Sequence, residues 1–289
     1  MSKRIILSRK GFDSSSGGYA SPIFSNKKLF SIPIPFDGPS PDKYEDIQLN
    51  GITAIEAFDE VGLDKTILNN SCHFDPDLNQ GLFGQAGASQ TELENNGVGK
   101  DDIFLFFGWF KEYAKNGDNL HHIFGWLQID KIIKGTNKIQ SYLKKKKQIH
   151  PHAFYKFNNN ALYVGKRNLN LNGEKTDLPG YGYFGESHES LILTEKNKSR
   201  SNWQLPAEYF SFAEKPFLNR LNWLDKKLAK VKCLGRGQEF ILNSEKYPKI
   251  NLWAYSLIKQ NADKISKKIK YIKVNEIVVP PVGLEPTTK

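Results

Sequence analysis

Apolar residues follow two periods along this chain, and the switch between them marks its elements. KRIILSR (3–9) is a short apolar run and predicts an opening strand. LFSIPIPF (29–36) reads as extended, and its two prolines confine it to an edge or an irregular segment. ITAIEAFDEVG (52–62) carries apolar residues at helical spacing and closes on a glycine, which predicts a helix. DPDLNQGLFGQAGASQTELENNGV (75–98) starts polar and glycine-rich and predicts a short helix around 88–95. VGKDDIFLFFGWF (98–110) predicts a turn and then a buried strand, and HHIFGWLQIDKII (121–133) predicts a second strand, with EYAKNGDNL as the hairpin loop between them. ALYVGKRNLNL (161–171) and ESLILTE (189–195) predict further strands. LNRLNWLDKKLAKV (218–231) predicts an amphipathic helix, GRGQEFIL (235–242) a loop entering a strand, and INLWAYSLIKQNADKISKKI (250–269) a last, basic amphipathic helix. The expected fold class is α+β, with mixed or mainly antiparallel strands in a partly barrel-like core and flanking helices. One domain over 1–277 is expected, with a possible sub-boundary near 140–155, followed by a disordered tail over 278–289.

The two central strands share a tripeptide, Phe107-Gly108-Trp109 and Phe124-Gly125-Trp126. A glycine inside an aromatic strand marks a bulge or the close approach of another backbone or ligand. The repeat reads first as two strands facing one aromatic core, and second as a platform for stacking bases.

Composition narrows the class. With 289 residues the chain can bury a sizeable core, and 39% hydrophobic with 12% aromatic residues is the make-up of a folded protein. No apolar run approaches the roughly 20 residues that span a bilayer. Two cysteines, Cys72 and Cys233, do not make a disulfide framework and fit a reducing cytoplasm. The formal net charge of +10 draws a protein toward phosphates, although a solvated lysine surface would carry the same excess. KKKK at 144–147 is expected in an exposed loop.

Candidate chemistry falls in five places. The opening loop offers Arg9, Lys10, Asp13, Ser14 and Ser15 after a strand, where a glycine- and serine-rich turn can wrap a phosphate with backbone N–H groups. It lacks the spacing of a nucleoside-triphosphate loop. Asp13 could bind a ribose hydroxyl or act as a base, and a plain turn capped by Asp and Ser is the competing reading. In CHFDPDLNQGLFGQAGASQ (72–90), His73 and Asp75 fall on one side of an extended chain. They are the candidates for a metal, but no local third ligand completes them, so no metal is expected. The glycines around Gln85 would let backbone approach a ligand. His121 and His122 alternate to opposite faces of their strand. His150 and His152 flank Pro151, and in an extended chain they would project to one side, which suits a metal or a general base, with exposed structural histidines as the competing reading. Finally, Arg236 between two glycines could fork onto a phosphate, Gln238 could read a base edge, and Glu239 could transfer a proton. Neither cysteine has a nucleophile's setting, and no serine-hydrolase motif is present. No cofactor is indicated.

In order along about residues 4–242, ILSRKGFDSSSGGYASPI, DPDLNQGLFGQAGASQ, DDIFLFFGWF, HHIFGWLQI, HPH and GRGQEF resemble the type 3 nucleotide modification associated domain family. The resemblance implies a bacterial or phage protein linked to nucleotide or DNA-base modification, and it brings no assigned catalytic residues. The terminal VVPPVGLEPTTK reads like a frame that overruns a transfer-RNA gene, a common integration point for mobile elements, and is expected to pack poorly. The leading expectation is an enzyme, or an enzyme's partner, that grips a phosphate-bearing nucleotide or a nucleic acid through the loop at 9–16 and Arg236. Asp13, His150, His152 and Glu239 would move protons. No membrane partner is expected. The alternatives are a non-catalytic reader of modified or single-stranded nucleic acid, like the PUA and ASCH barrels, and a defence or toxin component acting on nucleotide pools.

Overall fold

The longest apolar runs form the spine of one sheet. In the computed structural model its six main strands are β1 (Ile5–Arg9), β2 (Leu82–Gln85), β3 (Ile103–Lys111), β4 (Leu120–Lys134), β5 (Ala161–Gly165) and β6 (Glu239–Leu242). They lie in the order β6-β1-β3-β4-β5-β2. β1 runs parallel to β3, and every other neighbouring pair is antiparallel. Ser21–Pro22 adds to β3 and Tyr181–Tyr183 to β4. The structure describes residues 4–154, 156–171, 174–219, 221, 223–233 and 237–275, without the side chains of 171, 174 and 263–275.

Both faces of this sheet are covered, which is why β1 and β3 read as nearly unbroken apolar runs rather than alternating ones. Ile5, Leu7, Leu105, Phe107 and Phe240 face one core, closed over by a long helix and a small sheet of Asn202–Gln204, Trp223–Asp225 and Lys230–Lys232. Ile6, Phe83, Phe104, Phe106 and Tyr163 face the other core, inside the curl of the sheet. Each fully buried Phe contributes roughly 1.5–3 kcal/mol relative to exposure. The curl brings the two ends of the strand path together. Gln85 at the end of β2 donates from Nε2 to Glu239 Oε1 of β6 at 2.6 Å. No backbone ladder joins β2 to β6 among the described residues, so the sheet is barrel-like in curvature and not closed.

Five helices flank the sheet. α1 (Ala54–Val61) starts at a reciprocal cap between Thr53 and Glu56 and stops at Gly62, whose φ of 73° suits a glycine. α2 (Gly87–Asn95) follows β2 directly, as the glycine-rich stretch predicts. α3 (Thr136–Lys146) takes up the lysine run expected in a loop. Lys144–Lys146 form its last turn, where positive charge meets the negative end of the helix dipole. α4 (Ala207–Phe210) is one turn, and α5 (Lys249–Asn275) is the predicted basic helix.

Two other expectations are corrected. The described residues of 218–231 form no helix. Asn219 ties this segment to the edge of β6, donating from Nδ2 to the Glu239 carbonyl at 3.0 Å and accepting the Ile241 N–H at 2.9 Å. Asp225 then holds a turn through the Leu228 N–H at 3.0 Å. Local side-chain bonds of this kind compete with a helix. The leucines that would share one helical face are split: Leu221 is buried, while Leu224 is 61% exposed. The segment 189–195 opens as a 3-10 turn, Glu189–Leu191, rather than a strand.

The repeated tripeptide is a core feature. Phe107, Phe124 and Trp126 are buried, and only Trp109 is partly exposed. A Cβ at Gly108 would lie 2.7 Å from the Lys10 carbonyl, and one at Gly125 would lie 2.3 Å from Leu78 Cδ1. Both glycines therefore serve close approach within the protein. The predicted tail, 278–289, lies outside the described residues. No helix among those described is long and apolar enough to cross a membrane.

Candidate functional site

A hollow of about 670 Å³ opens where the ends of β1 and β2 meet the start of β6. Chain segments far apart in sequence converge there because β6 pairs with β1 and the sheet curls β2 round to β6. Of the predicted residues, Arg9, Lys10, Asp13, Ser15, Gln85 and Gln238 line it. His73, Asp75 and His152 line it as well. Ser14 instead faces a second hollow of about 740 Å³ on the far side of the same loop. Arg236 lies outside the described residues, although its neighbours Gly237 and Gln238 are on the wall. His150 and Glu239 sit behind the walls.

The loop after β1 is fixed by Asp13. Its Oδ1 accepts the Ser15 N–H at 2.8 Å, the Ser15 hydroxyl at 2.7 Å and the Ser16 N–H at 2.8 Å. This is the capped turn that was the competing reading of the loop. Lys10 turns into the wall. Its Nζ lies 3.4 Å from Glu239 Oε1 and 4.7 Å from the centroid of the Phe83 ring. The same Glu239 oxygen accepts the Ser8 hydroxyl at 3.0 Å and the Gln85 amide. Lys10 and Glu239 are therefore a buried ion pair bracing the junction of β1, β2 and β6.

The opposite wall holds the imidazoles. Pro151–Ala153 is a 3-10 turn, not the extended chain expected, and His150 caps it by accepting the His152 N–H on Nδ1 at 3.4 Å. That bond puts the His150 proton on Nε2, which donates to Asp75 Oδ1 at 3.2 Å. The Gly84 N–H reaches the same oxygen at 2.8 Å. His152 donates from Nδ1 to Asn160 Oδ1 at 2.6 Å. The Asn160 amide is oriented by its own donations to Thr136 Oγ1 and to the His152 carbonyl, both at 2.9 Å. His152 Nε2 thus carries a lone pair, 3.8 Å from Asp75 Oδ2. His73 Nε2 lies at the same 3.8 Å from Oδ2, and His73 Nδ1 is buried with no partner among the described residues.

Burial pushes His73 down to about 4 and His152 to about 3, so both are neutral at pH 7. Burial alone would raise Asp75. The hydrogen bond from His150, with the surrounding imidazoles, outweighs it and holds the carboxyl well below the usual range. One ligating atom each from His73, Asp75 and His152 falls within 4.8 Å of the others, a donor set that could hold a metal ion.

Several contributors were not assigned their part in the sequence. Gly84, noted among the glycines around Gln85 as an approach for a ligand, instead meets a side chain: a Cβ there would lie 2.2 Å from the His152 ring, so the glycine makes room for the imidazole. Its signal was a glycine within a buried strand. Phe157 stacks on His152 with centroids 4.7 Å apart. Ala88 and Ser89 bring the first turn of α2 to the hollow, and that turn has no side-chain cap. First-turn N–H groups lack intrahelical acceptors and mark the positive end of the dipole. Asn160, in a run of asparagines, carries no signal that marks it.

The fold and its hollow define a class: an α+β protein whose curled mixed sheet presents a polar cleft where its strand path comes round on itself. The chain belongs to the family described as nucleotide modification associated domain 3, which matches residues 4–243 and so spans every residue around the hollow. No curated protein and no solved structure matches the chain.

Proposed function

We propose that the hollow binds a nucleotide, free or within a nucleic acid, and that the chain modifies its base. The observation that carries this reading is the convergence on one cleft of the opening loop, the α2 first turn, the His73–Asp75–His152 wall and Gln238. Its volume of about 670 Å³ falls within the roughly 300–1,000 Å³ of small-molecule sites. The uncapped turn at Ala88 and Ser89, with the Arg9 guanidinium opposite, suits a phosphate. Phe157 offers an apolar wall for a base, and the imidazole and carboxylate groups supply the chemistry. The family's description, nucleotide modification, agrees with this use of the site.

Calorimetric titration with nucleoside monophosphates and with short single-stranded oligonucleotides tests the binding. Ser89→Glu places an acid where a helix start tolerates it and a phosphate does not. Nucleotide affinity should fall at least tenfold in this variant with the melting temperature preserved. Nucleosides and free nucleotides from cells with and without the protein are then compared by untargeted mass spectrometry. Equal affinity in Ser89→Glu would remove the phosphate assignment, and unchanged pools would remove the modification.

The second hollow supports a reader of single strands as an alternative. It shares Arg9, Asp13 and Ser15 with the first, and Arg200 stacks over Trp109 at 4.0 Å on its wall. A strand crossing both would bind oligonucleotide with an affinity that falls steeply with salt.

A further inference from the structure

We propose that His73, Asp75 and His152 are the protein ligands of a mononuclear divalent transition-metal site that opens into the hollow and leaves positions free for water or substrate. The site stands whether or not the hollow takes a nucleotide.

Hydrogen-bond partners carry the inference. A buried cluster of imidazoles around a carboxylate can be purely structural, and then each ring donates an N–H to the carboxylate within about 3.2 Å. Only His150 does so, at 3.2 Å to Oδ1. Oδ1 is filled by that bond and the Gly84 N–H. Oδ2 has no hydrogen-bond donor among the described residues, and both of its imidazole neighbours stand off at 3.8 Å. His152 cannot donate from Nε2 in its neutral form, because Asn160 holds its proton on Nδ1. His73 makes no side-chain hydrogen bond among the described residues, although one ring nitrogen is fully buried. Asp75 Oδ2 and His152 Nε2 therefore present lone pairs toward each other with no proton between them, and the His73 ring, whose tautomer no hydrogen bond among the described residues fixes, can turn a third lone pair to the same point, an arrangement that a cation completes.

The dimensions fit. Donors bound at about 2.0–2.1 Å around a tetrahedral centre lie about 3.4 Å apart, so the two 3.8 Å separations to Asp75 close with a shift of a few tenths of an ångström, and the third, between the imidazoles, lies within 4.8 Å and asks for a turn of one ring. The outer contacts match those of metal ligands. Asn160 fixes the His152 tautomer, and His150 with Gly84 fixes the carboxylate. Phe36, packed 5.3 Å from His73, and Phe157, stacked on His152, place aromatic rings against the group. Two imidazoles and one carboxylate suit Fe(II), Co(II), Mn(II) or Zn(II) rather than the all-oxygen preference of Mg²⁺ or Ca²⁺. Three protein ligands leave the rest of the coordination sphere to the hollow.

Full-length protein stripped with a chelator and titrated with Co(II) tests the site. One Co(II) per chain should bind, with visible d–d bands of a nitrogen–oxygen environment and a rise in melting temperature. Asp75→Asn, His73→Ala and His152→Ala should each weaken binding at least 100-fold. Asn160→Ala, which removes an outer partner and leaves the ligands in place, should weaken it about 10–100-fold. His188→Ala, an exposed imidazole, should change nothing. If a ligand variant fails to fold, the Asn160 variant and the number of imidazoles bound to Co(II) in the wild type, counted by X-ray absorption, decide. Absence of stoichiometric binding, equal affinity in the folded ligand variants, or fewer than two bound imidazoles would overturn the site.

Discussion

The Lys10–Glu239 pair can be taken apart by a double-mutant cycle. The two charges lie 3.4 Å apart with side-chain exposures of 10% and 1%. At an effective dielectric of 20 their direct attraction is about 5 kcal/mol. Desolvation offsets most of this, so the pair as a whole adds little, but removing one partner leaves the other buried and unmatched. Glu239→Gln leaves the ammonium beside the Phe83 ring without its counter-charge, and should cost about 3 kcal/mol. Lys10→Met leaves a buried carboxylate held by Ser8 and Gln85, and should cost a similar amount, about 3 kcal/mol. The double variant should cost about 1 kcal/mol rather than the additive 6, a coupling of about 5 kcal/mol. Guanidinium unfolding reads the free energies, and a melting-temperature loss of about 2 °C per kcal/mol should track them. Additivity within about 0.5 kcal/mol would refute the ion pair as a bracing element. The same variants separate wall from grip. A bracing Lys10 leaves nucleotide affinity in the double variant within threefold of wild type, whereas a phosphate contact would lose more than tenfold.

Two further outcomes follow from the packing. His122 is buried, with Nδ1 donating to the Ile123 carbonyl at 2.7 Å and Nε2 accepting from Ser187 at 2.9 Å, and burial pushes it down to about 4. The unfolded chain takes up that proton near 6.5, so stability is full above pH 6.5 and falls as pH drops toward 4, by on the order of 3 kcal/mol for this group. Denaturant midpoints measured between pH 4 and 7 should fall less steeply on acidification in His122→Gln than in wild type, and equal slopes would remove His122 as a source. Gly84→Ala places a methyl 2.2 Å from the His152 ring and should cost about 1–3 kcal/mol as the ring is driven off Asn160; an unchanged unfolding midpoint would show that the ring is not packed against β2.

What was legible in the sequence was whatever local pattern determines. β1, β3 and β4 are apolar enough on both faces to read as buried strands, and α1 carries its cap and its stop within eleven residues. The segment 218–231 misled because its leucines fall at helical spacing, while Asn219 and Asp225 bond to backbone and turn the chain instead. The lysine run misled in the other direction: four like charges suggest a solvated loop, but at a helix C-terminus they meet the dipole favourably. Within the site, residue types were readable and their use was not. His73 and Asp75 announce themselves by spacing. The third member of their group, His152, is 77 positions beyond Asp75, and nothing local links it to them. Asn160 and Gly84 matter only because of the ring they hold or admit.

The groups first considered for proton transfer differ in how their lone pairs are used. One Asp13 carboxylate oxygen accepts three hydrogen bonds in a turn. Glu239 faces a lysine, a serine and an amide inside the wall, and His150 is committed at both ring nitrogens. Asp13 Oδ1, Glu239 Oε1 and His150 would have to break these bonds before reacting, whereas Glu239 Oε2 is buried without a partner among the described residues. Asp75 Oδ2, His152 Nε2 and the His73 ring face the hollow with no such commitment. Leaving a buried polar atom such as His73 Nδ1 unmatched costs stability, about 1–3 kcal/mol. A partner from outside the chain that completes the group would offset that cost, which is the physical ground on which the proposed metal site falls on this wall.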